Sequence, residues 1–220
     1  MTTNNSTLFT QADQVRTSAT INTPSGYKHD RTTTGSKAFI AFLILVFLFI
    51  ITHIVKFPGS VGYLKEITGG QKTLDLQASF SSAETYQRLE AFGEVGRQMY
   101  IRTMLTVDLI FPLSMFIFLF LFSKYTLRKV ALKNVPGRSL QALAIGYLTF
   151  DFLENVSIFI LLNSFPNRLE FLGSYIGYLT VAKRISMMGA LFIPLVILIG
   201  RKLWTLFQQV SVSKSQNHLS

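Results

Sequence analysis

Long uncharged apolar runs alternate with short polar segments along the chain, and the run lengths set the architecture. Residues 38–55 form the first run, uncharged, with Thr52 and His53 as its polar groups, and extended to Phe57 it reaches 20 residues. As a helix it would be about 30 Å long, the thickness of a bilayer's hydrocarbon core. Lys37 and Lys56 bracket the run and Pro58-Gly59 ends it. The second run, about 103–123, holds one charge, Asp108, and the third, about 140–162, holds Asp151 and Glu154. The uncharged stretch 186–200 is too short to span unaided, so a fourth run is placed at about 179–203, which takes in Lys183 and Arg184. The pattern therefore predicts an all-α, integral membrane four-helix transmembrane bundle, with a membrane domain over 38–204.

Between the first two runs, Ser81-Ser82-Ala83-Glu84 reads as a capping box. Tyr86, Leu89, Phe92, Met99 and Thr103 then recur at roughly helical spacing. This predicts an extra amphipathic outer helix from about Ser82 that leads into span two, bent if at all at Gly93 or Gly96. Residues 69–80 read as a loop with Leu74, Leu76 and Phe80 tucked inward. Of residues 1–37, 17 are Ser, Thr or Asn, without a period, and this composition predicts a disordered polar tail. Residues 205–220 read as a second tail.

Charge gives the orientation. The short segment 124–139 carries Lys124, Arg128, Lys129, Lys133 and Arg138 and no acid, which marks it as cytoplasmic. With four spans, both termini then lie inside, and the sequons at Asn4 and Asn5 fall on the wrong side for glycosylation. The formal charge of +10, from 21 Lys+Arg against 11 Asp+Glu, first suggests a nucleic-acid partner. On this topology the inner segments together carry +10, the outer segments +1 and the spans −1. The excess is an orientation signal that also suits anionic lipid at the basic loop. With no nucleic-acid-reading module beside it, nucleic acid is not expected.

Chemistry is restricted to a few positions. The chain has no Cys, which removes disulfides, thiolate metal sites and thiol nucleophiles, and no motif indicates a cofactor. Asp108, Asp151, Glu154 with Asn155, Lys183 and His53 all fall in the outer half of their spans, at similar depth. Asp151, Glu154 and Asn155 stand at i, i+3 and i+4, on one helix face, with Tyr147 one turn before. Arg97, Met104 and Asp108 share a stripe, with Tyr100 at its edge. Pro112, four residues after Asp108, cannot donate to the Asp108 carbonyl and so leaves it available.

Each mid-span acid costs about 2.5–3.5 kcal/mol to insert, and the Leu, Ile, Phe and Val residues of span three return roughly 4–7 kcal/mol in total. That span is near break-even alone and needs a counter-charge, for which Lys183 is the natural choice. Arg97 is a further one, and Arg184 is placed to snorkel outward. His53 with the three carboxylates offers hard donors for a metal, but one His with acids from two other spans is a weak metal signal. The expected function is therefore a site for a lipid-like or amphipathic small molecule, bound or acted on at the polar cluster. The alternatives are a proton- or ion-coupled transporter subunit, for which four spans would imply a homo-oligomer, and a non-catalytic scaffold.

Overall fold

The computed structural model describes residues 26–130 and 137–217, with side chains over 33–130 and 139–209. The sequons at Asn4 and Asn5, and Lys133 of the basic segment, lie outside the described residues. The described residues form six α-helices: α1 (Gly26–Phe49), α2 (Val61–Ile67), α3 (Ser82–Ala91), α4 (Gly93–Val130), α5 (Gly137–Ser164) and α6 (Glu170–Asn217). There is no strand among the described residues. The apolar portions of α1, α4, α5 and α6 are each long and apolar enough to cross a membrane.

The helix ends follow from local chemistry. α1 closes in a π-helical turn, Ile50–Ile54, where Val55 N–H reaches the Ile50 carbonyl at 3.1 Å. Within that turn the Thr52 hydroxyl donates to the Leu48 carbonyl at 2.7 Å, occupying an acceptor of the regular ladder. Ser60 caps α2 by accepting from Tyr63 N–H, and Ser81 caps α3 by accepting from Glu84 N–H at 3.2 Å. A left-handed Gly93 (φ 62°) separates α3 from α4, a conformation that glycine adopts without penalty.

α5 and α6 form the most extensive helix pair; α1 lies along α4, and α3 packs on α6. Two apolar cores result. The first is built around Tyr86, Leu89, Tyr100, Ile158, Leu161 and Ile176. The second is built on Leu119, Ala144, Tyr147 and Ala190. Asp108 on α4, Asp151, Glu154 and Asn155 on α5, and Lys183 and Arg184 on α6 fall in the stretch between these two cores.

Several boundaries differ from expectation. α1 begins at Gly26, so residues 26–37 are helical rather than part of a disordered tail. They continue the apolar helix beside α4, where Arg128 donates to Thr34 at 2.6 Å and Gly35 lies against the Tyr125 ring. The outer helix is broken at Gly93, one of the two glycines at which a bend was expected, and α2 was not anticipated. α6 starts at Glu170, nine residues before the expected span, and extends to Asn217. At 48 residues it is about 72 Å long. Leu74 is buried as expected, but Leu76 and Phe80 are about half exposed, at 54% and 51%. The loop is held by its backbone carbonyls, which leaves those two side chains outside.

Candidate functional site

The site starts from two helical spacings. On α5, Asp151, Glu154 and Asn155 share a face; on α6, Thr180 and Lys183 stand one turn apart. Packing α5 against α6 brings these faces together. Lys183 Nζ lies 3.4 Å from Asp151 Oδ1 and forms a close ion pair with Glu154. Glu154 is fully buried, and its other oxygen accepts from the Thr180 hydroxyl. Lys183 itself is only 14% exposed. A buried carboxylate of this kind is tolerable only when paired and hydrogen-bonded, and here it is both.

α4 completes the arrangement through a backbone consequence of Pro112. Asn155 Nδ2 donates to the Asp108 carbonyl at 3.3 Å, the acceptor that Pro112 cannot satisfy, and also to Asp151 Oδ2 at 3.2 Å. A single amide therefore ties α4 to α5. The Asp108 carboxylate has no hydrogen-bond or ion-pair partner among the described residues. It edges a groove of about 340 Å³ between α4 and α5. Asp108, Asp151 and Asn155 are the polar groups of that groove, and Met104, Leu109, Pro112, Leu148, Phe152 and Phe159 are among its apolar lining. Leu105, Leu109 and Phe152 are each more than 60% exposed, so the groove opens on the outer apolar surface of the bundle.

Above the groove, the loop before α3 adds an acid. Asp75 Oδ1 accepts from the Tyr100 hydroxyl at 2.9 Å, and the same hydroxyl accepts from Leu74 N–H at 3.0 Å. Arg184 donates to the Asp75 and Leu76 carbonyls, at 3.0 and 2.5 Å. Asp75 lies within electrostatic reach of Asp108, Asp151, Glu154 and Lys183. Sequence reasoning missed both Asp75 and Thr180. Asp75 carries no helical spacing, and Thr180 is uncharged, although its position one turn from Lys183 was a usable signal.

Of the other candidates, His53 and Arg97 stand apart from this cluster. His53 bonds Thr52 through Nδ1 at 2.7 Å, stacks on Phe49 and meets the edge of Phe111. Arg97 donates to the Leu89 carbonyl at 3.1 Å and lies 4.0 Å over the Phe165 ring. Tyr147 is buried in the second apolar core. Arg184 fastens the loop instead of joining the carboxylates or reaching free into the surroundings. No three His, Asp or Glu side chains among the described residues are placed to hold a metal ion.

The chain matches no protein-family model, no curated protein and no solved structure.

Proposed function

We propose that the chain is a multi-pass integral membrane protein that binds an amphipathic, lipid-like molecule in the groove between α4 and α5. The observation that carries this reading is the groove itself. It opens sideways onto exposed apolar side chains and is floored by Asp108, Asp151 and Asn155. An amphiphile would enter from the bilayer with its chain on the apolar lining and its polar group at the floor. Asp108 and Asp151 are also the groups that would exchange a proton with a bound molecule if it reacts there.

The membrane assignment rests on where the apolar side chains point. In the most apolar window of each long helix, the buried share runs only from 17% to 39%, so most of that surface faces outward. Exposed apolar area on this scale is what lipid would cover. Arg128 bonds Thr34 near the start of α1, and Arg201 of α6 bonds the Lys129 carbonyl near the end of α4. These basic residues gather at one end of the bundle, which we assign to the cytoplasm together with both termini. The same end is suited to anionic lipid headgroups. Against transport, the core on the far side of the polar stretch is apolar and buried at Leu119, Ala144 and Ala190.

Native mass spectrometry of the purified protein tests the binding reading. A retained amphiphile should be present in the wild type and lost on Leu109→Trp, which fills the groove from its rim. If Leu109→Trp and Asp151→Asn both retain the wild-type complement of lipid, the groove is not a site. If Asp151→Asn fails to accumulate in membranes while Leu109→Trp binds normally, the polar cluster serves structure alone. Because the chain lacks Cys, single-Cys labelling tests orientation: reaction of Val130→Cys from outside would overturn it.

A further inference from the structure

The charges around the groove do not balance. Asp75 lies within electrostatic reach of Arg88 as well as of the cluster, which leaves Asp108, Asp151 and Glu154 as three carboxylates around one ammonium, Lys183. Lys183 is already committed to Glu154 and Asp151. The Arg184 guanidinium spends its donors on the Asp75 and Leu76 carbonyls rather than on a carboxylate. Asn155 takes the second oxygen of Asp151, and Tyr100 takes Asp75. Asp108 is left over, and it is the carboxylate on the groove wall without a partner among the described residues.

Resting on the binding reading above, we infer that the groove selects an amphiphile whose polar head is a cation, such as a long-chain amine, with its ammonium seated between Asp108 and Asp151. In a low-dielectric site a carboxylate without a counter-ion is costly, and a ligand that brings a positive charge offsets that cost when it binds. A neutral head satisfies only hydrogen bonds there, and an anionic head adds repulsion. The lining suits a hydrocarbon chain on either side of the head. Met104, Leu105 and Phe159 lie toward the first apolar core, and Pro112, Leu113 and Leu148 toward the second. Asp108 is five residues from the expected start of its span, roughly 7–8 Å deep, within reach of a molecule moving in the leaflet.

The test uses the full-length protein in phosphatidylcholine nanodiscs, with empty nanodiscs subtracted. Tetradecylamine, tetradecanol and tetradecyl sulfate are titrated in turn, and the bound fraction is read by native mass spectrometry. The amine should bind at least about tenfold tighter than the alcohol, the scale of one well-placed charge-assisted contact, and the sulfate weakest. Asp108→Asn should bring amine and alcohol to within about threefold, and Leu109→Trp should lose both. Equal affinity for amine and alcohol in the wild type overturns the cationic preference and leaves the groove standing as an amphiphile site. Preference for the sulfate overturns it likewise. Failure of all three to bind overturns the groove reading as well. The wild-type comparison requires no variant, so an Asp108→Asn protein that does not fold leaves the test intact.

Discussion

Replacing Lys183 by Met is the most informative perturbation of the polar cluster. It removes the ammonium that pairs with Glu154 and with Asp151 at 3.4 Å, and leaves the fully buried Glu154 with only the Thr180 hydroxyl. In soluble proteins, breaking a buried pair from one side costs about 3–5 kcal/mol. In a bilayer the unfolded helices also find polar partners, which lowers the difference; measured interhelical polar couplings reach at most about 1.7 kcal/mol. Lys183→Met is therefore expected to cost about 2–3 kcal/mol. Glu154→Gln should cost less, about 1–2 kcal/mol, because Lys183 keeps Asp151 and the amide keeps an acceptor for Thr180. The double variant should fall short of the sum by about 1 kcal/mol, since each change removes the same pair. Reversible unfolding in lipid nanodiscs, read by steric trapping, measures all three. Additivity to within about 0.3 kcal/mol would refute the pairing on which the site is built.

Three other changes probe the outer part of the structure, and Gly200→Ala at the opposite end serves as a control. Arg88→Ala removes donors to the Lys72, Thr73 and Gln77 carbonyls and to Ser79; hydrogen exchange of amides 72–79 should quicken by about tenfold or more while α5 is unchanged. Tyr100→Phe strands the buried Leu74 N–H and one Asp75 oxygen and should lower stability by about 1–3 kcal/mol in the same unfolding assay. A methyl group at Gly177 would lie 2.3 Å from the Ser79 carbonyl oxygen, whereas one at Gly200 meets nothing within 4 Å. Gly177→Ala should then cost about 1–3 kcal/mol, and Gly200→Ala should be neutral or stabilise by up to about 1 kcal/mol.

The four long apolar helices were legible because span-length apolar runs are hard to place otherwise. The start of α6 was not. Residues 170–178 do hold apolar positions, with Leu172 and Ile176 at the first core, but they also meet the outer segment, where Ser82 and Ser79 approach Gly173 and Gly177 closely, and no local pattern encodes that contact. The helical stretch 26–37 was equally hidden, because it is polar in sequence and extends a helix nucleated further along. In the cluster, Asp151, Glu154, Asn155 and Lys183 were readable from depth and from their i, i+3, i+4 spacing. Depth alone misled for His53, since a residue at the right height on α1 turns toward Phe49 and Phe111 rather than toward α5. Asp75 reaches the cluster through a loop that folds back over α4, and no local pattern encodes that return.

The claim that the α4–α5 groove is a binding site, and not simply bundle surface, is tested most directly by photo-crosslinking from within the membrane. Benzoylphenylalanine is placed in turn at Phe152, an aromatic position on the groove rim, and at Val196, which is 65% exposed on α6. After irradiation in native membranes, intact-mass measurement should show one discrete adduct at position 152, absent when Leu109→Trp is introduced. Position 196 should show only the spread of masses of bulk phospholipid. The same bulk-lipid spread at both positions would contradict the account.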